Sequence, residues 1–276
     1  MAIKDWPGGI VTRDQIVPAG PYADGVASGI WTLDQASNYT KLGIWPTAGN
    51  TAPNIAEAFS TDLYEGNNGT LTISNGINFS GDGGLLWIKC RDNGQNHVLT
   101  DTSTTGGDGS KYMNSNTTTV QQDFYVGGGS DERVFFNSTG FSTTTADFKV
   151  NNNNYDYVAW SFEKSSRFFD VVNYTGNATN RTISHSLGTV PGMIIVRNIA
   201  SGYSWQVYHR GMSNTDRIEL DGSGAKSTGA TTYWNSTSPT SSVFSLGTVN
   251  QTNNNGDQFI AYLFAHDTAA DSMVQC

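Results

Sequence analysis

Two stretches of this sequence decide the fold, because one repeats the pattern of the other. Residues 59–77 have the sequence FSTDLYEGNNGTLTISNGI, and residues 169–187 have the sequence FDVVNYTGNATNRTISHSL. Tyr, Gly, Asn, Thr, Ile and Ser recur at matching places at a constant offset of 110 residues. Self-similarity at a fixed offset is the signature of duplicated structural units.

The match continues along the chain while the offset shrinks. Residues 84–89 correspond to residues 192–197, and residues 157–162 correspond to residues 259–264, which lie 102 positions later. In duplicated domains, strands keep their pattern whereas loops lose residues. The sequence therefore predicts two copies of one unit in tandem.

Four segments follow from this alignment. We predict an N-terminal arm at residues 1–57, β units at residues 58–165 and 166–268, and a C-terminal tail at residues 269–276. Five of the seven prolines lie in the arm, which favours an extended chain there. The tail is either a frayed end or the first strand of a third unit.

The composition favours strands and polar loops. Gly, Thr, Ser and Asn make up 116 of the 276 residues, and these residues suit turns better than helix interiors. A hydrophobic content of 37% and an aromatic content of 12% are enough to fill a core. The predicted fold is all-β, with two tandem β-sandwich (jelly-roll-like) units preceded by an extended N-terminal arm with one short helix. Strands are predicted at residues 85–89, 155–162, 193–197, 205–209 and 258–264, with turns at residues 67–69, 151–154 and 253–256.

The helix in the arm is predicted from its caps. Thr32 and Gln35 have the spacing of a capping box, and Gly43 suits the position after the helix. The arm carries large apolar side chains but has little core of its own. We therefore predict docking residues there, which bury either against the chain's own β units or against a partner subunit: Trp6, Trp31, Leu33 and Trp45.

Charge and hydropathy exclude several partners. The net charge is -9 and no two Lys or Arg residues are adjacent, so nucleic-acid binding is not expected. No apolar run approaches the roughly 20 residues that span a bilayer, so membrane insertion is not expected either. Residues 1–20 lack the apolar segment of a signal peptide, which predicts synthesis in a cytosol, with Cys90 and Cys276 reduced.

The sequence offers no catalytic motif, metal motif or cofactor motif. Asp101 and Asp108 flank a Thr/Gly loop that is predicted to be a solvated turn. A glycosidase needs two carboxylates for acid–base catalysis, and the sequence does not indicate which two of its candidates would form such a pair. The candidates are Asp131, Glu132, Glu163, Asp170, Asp216, Glu219 and Asp221.

Aromatic residues in polar loops give the remaining indication of a binding site. Tyr203, Trp205, Tyr233 and Trp234 lie among Ser, Thr and Gly, and sugar rings stack on such side chains. We predict a glycan-binding surface at these four residues. The alternative is that Trp205 and Trp234 close one end of a sandwich.

Several of these segments resemble a known family. Residues 83–89, 136–141, 168–177, 191–196 and 261–267 are similar to tail-fibre-type virion proteins of marine tailed bacteriophages of the cyanophage kind. Within the arm, residues 27–34 and 43–46 resemble an N-terminal element that is common in phage structural proteins.

This resemblance implies a structural virion protein rather than an enzyme. The expected role is a tail fibre or related appendage, made in the host cytoplasm and assembled into the virion. Its expected partners are other virion structural proteins, further copies of the chain in a homotrimer, and a host-surface glycan. The alternatives are a head-decorating or collar protein and a polysaccharide depolymerase.

Overall fold

The structure is a computed structural model that describes residues 15–18, 27, 29–45, 55–104, 108–124, 133–144, 148–266 and 273–276. These residues divide into two units. The described residues up to 45, with residue 273, belong to an N-terminal unit. Residues from 55 to 266, with residues 274–276, form a second unit, which we call the β body.

The β body is built from antiparallel strands, and the predicted all-β fold is confirmed. The N-terminal unit contains the helix α1 (Leu33–Lys41), and the β body contains the short helices α2 (Ile55–Ala58) and α3 (Asn250–Asn253). The first half of the β body comprises β1 (Phe59–Glu65), β2 (Leu71–Ser74), β3 (Gly84–Cys90), β4 (Val98–Asp101), β5 (Lys111–Asn114), β6 (Gln122–Asp123), β7 (Val134–Asn137), β8 (Gly140–Thr143) and β9 (Asp156–Glu163). The second half comprises β10 (Phe169–Thr175), β11 (Arg181–Ser184), β12 (Pro191–Asn198), β13 (Gln206–His209), β14 (Ile218–Glu219), β15 (Val243–Leu246) and β16 (Gln258–Ala265).

The strand order of the first half recurs in the second. A six-stranded sheet has the order β1-β9-β3-β4-β5-β6, and a five-stranded sheet has the order β10-β16-β12-β13-β14. A smaller sheet accompanies each: β2-β8-β7 in the first half and β11-β15 in the second. The paired strands fall at the repeated sequence segments, so the sequence repeat corresponds to a structural one.

Each half has its own core between its two sheets. In the first half, Tyr64 and Ile88 of the large sheet share one apolar cluster with Phe141 of the small sheet. In the second half, Tyr174 and Phe244 do the same. Two sheets that face each other across one core are the arrangement expected of a sandwich.

Buried and partly exposed side chains alternate along β9, so one face of the large sheet packs on the core and the other does not. Tyr157, Ala159 and Ser161 are fully buried, whereas Val158 and Trp160 on the opposite face are partly exposed. Tyr157 stacks on Tyr64 of the neighbouring strand, with ring centroids 5.2 Å apart. Adjacent residues of a strand point to opposite faces, so this alternation agrees with the sequence pattern.

A buried asparagine closes one end of each half, and we call this arrangement the asparagine clip. In the second half the clip is Asn253, whose side chain accepts from the Asn177 amide at 2.9 Å and donates to the carbonyls of Thr179 and Gly247 at 2.7 Å each. In the first half the clip is Asn151, described next. The sequence predicts turns at these asparagines, and the structure adds that both side chains are fully buried.

The clip of the first half repeats two of these bonds among the described residues. Asn151 accepts from the Asn67 amide at 2.9 Å and donates to the Gly69 carbonyl at 2.7 Å. Buried backbone groups in a loop need partners, and the asparagine amide supplies both a donor and an acceptor. Where the chain turns and backbone groups have no neighbouring strand to pair with, the clip therefore supplies their hydrogen bonds.

The two halves meet through a buried carboxylate. Asp101 at the end of β4 accepts from the amides of Ser103 and Thr104, and it accepts from the Tyr262 hydroxyl of the second half at 2.8 Å. Burial raises the pKa of Asp101, although these hydrogen bonds act in the opposite direction. Asp101 flanks the loop that is predicted to be a solvated turn, but its own side chain is buried in the junction between the halves, and residues 105–107 of that loop lie outside the described residues.

The last described residues return to the second half. Val274 packs against its core, and the Cys276 thiol donates to the Ala265 carbonyl at 3.4 Å. Residues 273–276 form no strand. Residues 269–272 of the predicted tail lie outside the described residues.

Helix α1 has both of the predicted caps. The Thr32 hydroxyl accepts from the Gln35 amide at 3.2 Å, and the Gln35 side chain accepts from the Thr32 amide at 2.9 Å. At the other end, Gly43 has a φ of 72° and donates to the Thr40 carbonyl, while Ile44 donates to the Tyr39 carbonyl. These paired bonds form a Schellman motif, which satisfies the last carbonyls of the helix.

Candidate functional site

The predicted docking residues have different surroundings. Trp31 packs edge-on against Tyr39 at 5.3 Å and against Trp45 at 5.4 Å, so the two tryptophans stabilise each other locally. Leu33, in contrast, is 85% exposed. Trp6 lies outside the described residues.

The N-terminal unit presents further apolar side chains to solvent. Helix α1 has no buried residue, and Leu42 directly after it is 68% exposed. Ile16, Val17 and Ile30 are each more than half exposed as well. A helix with complete caps and an unburied apolar surface is typical of a segment that binds something else.

The structure does not support the predicted glycan surface at the two tryptophans. Trp205 is fully buried, and its indole nitrogen donates to the Asn114 carbonyl of the first half at 2.9 Å. Trp234 is 2% exposed, and its indole nitrogen donates to the Asp216 carbonyl at 3.1 Å. A ring buried in this way has no face for a sugar, so the prediction is wrong at both positions. Trp234 instead fills the core of the second half, and Trp205 packs at the junction.

Of the two tyrosines in the predicted glycan surface, one is buried and the other is partly exposed. Tyr233 is 8% exposed, and the Arg217 guanidinium lies 4.6 Å from its ring centroid. Tyr203 is partly exposed, but its carbonyl accepts from the buried guanidinium of Arg197. Burial lowers the pKa of Arg197 to about 10, so it remains charged at neutral pH. These four aromatic residues therefore do not form a shared platform.

A polar cavity lies where the first half faces the second. It has a volume of about 590 Å³, and Thr102, Phe135 and Lys164 lie in its wall. A second cavity of about 370 Å³ adjoins it and shares Ser103 and Lys164. We call this pair of neighbouring cavities the junction trough, and ligand sites commonly have volumes of this order.

Strand β10 supplies the second part of the junction trough. Asp170 and Asn173 of this strand line it, together with His185 and Ser186 from the segment after β11. Both ring nitrogens of His185 are engaged: Nε2 lies 3.2 Å from the Thr240 carbonyl, and Nδ1 accepts from the Leu187 amide. Burial lowers the pKa of His185, so the ring is neutral at pH 7.

Two ion pairs set the charge of the junction trough. Arg133 contacts Asp108 at 2.7 Å, and Lys164 contacts the buried carboxylate of Asp170 at 3.0 Å. Burial alone raises the pKa of Asp108, but hydrogen bonds from Ser110 and the Arg133 charge outweigh it, so this pKa lies below its usual value. Both cations among the described lining residues are therefore neutralised.

Residues 54–269 match the model of a family described as a domain of unknown function, DUF7483. The chain belongs to the DUF7483 family. The matched segment contains both halves of the β body and therefore the whole junction trough. No curated protein and no solved structure matches the chain.

The carboxylates that the sequence offers for acid–base chemistry have separate structural contacts in the DUF7483 domain. Glu163 accepts from the Asn78 amide at 2.8 Å, and burial raises its pKa. Asp221 accepts from the Trp205 amide at 3.0 Å. Asp131 and Glu132 lie outside the described residues.

The other two candidate carboxylates form ion pairs near β14. Asp216 contacts Lys226 at 2.6 Å, and that contact lowers the pKa of Asp216. Glu219 contacts Arg217 at 2.5 Å. None of these contacts favours a glycan-cleaving DUF7483 domain over a binding one.

Among the described residues, no three His, Cys, Asp or Glu side chains come together as a metal site would require. None of the helices in this part of the chain has the length and apolar character needed to cross a bilayer.

Sequence reasoning missed the junction trough of the DUF7483 domain. Its walls come from segments about 80 residues apart, such as the loops around Thr102 and His185. A weak signal exists in the repeat alignment, because Asp170 and His185 stand where the first copy has Ser60 and Asn75. A site at a junction between two copies is formed once, so it leaves no repeated motif.

Proposed function

We propose that this chain is a structural virion protein of a tailed phage, a tail fibre or related appendage. In this proposal the N-terminal unit anchors the chain on another virion protein, and the β body projects and contacts host-surface glycan. The observation that carries the proposal is the exposure of large apolar side chains in the N-terminal unit, among them Leu33 in α1 and Leu42 directly after it, which are 85% and 68% exposed.

Large apolar side chains that are exposed to water favour binding to a partner. Burying a leucine side chain stabilises a complex by about 1.5–3 kcal/mol, so an exposed group of such residues is a strong docking surface. The complete caps mean that α1 needs no partner to order its ends. Assembly as a homotrimer, which the resemblance to fibre proteins suggests, belongs to the proposal.

A matched pair of surface variants tests the anchoring role. The double variant Leu33→Ser/Leu42→Ser removes apolar surface from the N-terminal unit, and Leu63→Ser removes a leucine of the β body that is 67% exposed. In phage that encode the variants, we expect the double variant to reduce the number of chains per virion at least tenfold. Leu63→Ser is expected to leave that number unchanged, as measured by quantitative mass spectrometry of purified virions.

Equal incorporation of the double variant and the control would refute the anchoring role. Absence of the wild-type chain from purified virions would refute the proposed function as a whole. Circular dichroism of the purified variants shows whether they are folded. All three leucines are exposed, so their replacement should not alter the fold.

A further inference from the structure

We infer that the junction trough binds a neutral oligosaccharide. The inference deepens the proposed glycan contact and rests on the proposed function for the source of the sugar, a host surface. The binding chemistry itself follows from the walls of the trough.

The junction trough has no excess of positive charge. Arg133 and Lys164 are each paired with a carboxylate, at 2.7 Å and 3.0 Å, so neither pair adds a net positive charge that would attract a phosphate or a uronate. Asp82 adds a negative charge to the same wall, and the whole chain carries a net charge of -9. Like charges therefore oppose an anionic ligand and leave an uncharged one unaffected.

The junction trough also has a high density of hydroxyl and amide groups. Thr102, Ser103, Asn173 and Ser186 line the two cavities, alongside the paired carboxylates. Hydroxyl groups both donate and accept, and amides do so at separate atoms. A sugar needs this mixture, because each of its hydroxyl groups is both donor and acceptor.

A partly exposed aromatic ring also lies in the wall. Phe135 lines the larger cavity, and the Arg133 guanidinium lies 5.2 Å from its ring centroid, which fixes the position of the ring. The apolar face of a sugar packs on such a ring. Three of the four aromatic residues that the sequence predicts for this task, Trp205, Tyr233 and Trp234, are buried, whereas Phe135 is partly exposed in the wall of the cavity.

The shape of the junction trough favours a chain of sugars over a single ring. Two neighbouring cavities of about 590 Å³ and 370 Å³ share Ser103 and Lys164 in their walls, one in the first half and the other against β10. A ligand that occupies both would contact both halves of the β body. Short oligosaccharides meet this condition, and monosaccharides do not.

Binding of defined probes to the purified full chain tests the inference. The probes are maltotetraose, cellotetraose and N-acetylchitotetraose as neutral oligosaccharides, with tetragalacturonate and inorganic phosphate as anions. Saturation-transfer NMR and calorimetry are expected to show saturable binding of at least one neutral tetrasaccharide and none of the anions. Phe135→Ala is expected to weaken this binding at least fivefold.

Two more variants make the outcome specific to the trough. Asn173→Trp places a large side chain at an exposed position of the second cavity and should weaken binding of the tetrasaccharide. Phe148→Ala, the control, removes a ring that is 51% exposed and does not line the trough, and it should bind like the wild type.

Three results would overturn the inference: no neutral tetrasaccharide binds, an anion binds in preference, or the trough variants bind as well as Phe148→Ala. Each is measured on purified protein, independently of virion assembly. A chain that enters virions normally but fails this test would therefore remove the glycan site and leave the anchoring role intact.

Discussion

Replacing Asn253 with alanine should destabilise the β body more than any exposed Asn→Ala change. The side chain is fully buried and makes three hydrogen bonds, at 2.9, 2.7 and 2.7 Å, to backbone groups. At about 1 kcal/mol for each bond, the loss is about 3 kcal/mol, before any added cost of leaving the Asn177 amide unpaired. Asn151 in the first half makes the equivalent bonds to the Asn67 amide and the Gly69 carbonyl, so its replacement should cost at least about 2 kcal/mol.

Equilibrium unfolding in urea, followed by tryptophan fluorescence, measures both effects. Each half contributes signal, with Trp87 in the first and Trp234 in the second. The control is Asn255→Ala, which removes an exposed side chain next to the clip and should change stability by less than about 0.5 kcal/mol. A value for Asn253→Ala or for Asn151→Ala that equals the control would refute the assignment of the clip.

Two more predictions concern the loops and the junction. Gly176→Ala should cost about 1–3 kcal/mol in unfolding free energy, because its Cβ would overlap the Asn254 carbonyl, whereas Gly224→Ala, with open space around it, should be neutral. Asp101→Asn should remove a pH dependence: burial raises the folded pKa of Asp101, so its contribution favours the folded state at low pH and is lost as the pH rises from about 4 through the folded pKa. Urea midpoints at pH 4, 5.5 and 7 should therefore rise for the variant relative to the wild type as the pH rises, and a constant difference would contradict the argument.

Local patterns predicted the framework well. The apolar run at residues 193–197 lies within β12, and the alternation at residues 157–162 matches the two faces of β9. Both caps of α1 follow from three residues, because capping depends on side chains next to the helix ends. A sequence pattern can predict the structural features that depend only on residues a few positions apart.

Long-range partners account for what the sequence pattern did not show. Asn253 has the composition of a surface turn, and only its bonds to residues 177 and 179 in a distant loop reveal a buried position. Asp101 has the composition of a solvated loop, but its partner is Tyr262, 161 residues later. Trp205 belongs to a polar segment and is buried by the first half. In each case, a tertiary contact overrides the local propensity.

The same reasoning separates framework from site in this duplicated chain. Positions that both copies keep, such as the tyrosines Tyr64 and Tyr174, stack and hydrogen-bond inside each half and are needed twice. The junction exists once, so its residues need not be the same in both copies. Lys164 stands where the second copy has His266, and Asp170 stands where the first copy has Ser60. The ion pair that these two side chains form at 3.0 Å can occur only in the tandem arrangement. In such a chain, the positions where the copies differ and face each other are the first place to look for ligand binding, because duplication supplies the scaffold and divergence at the junction supplies the chemistry.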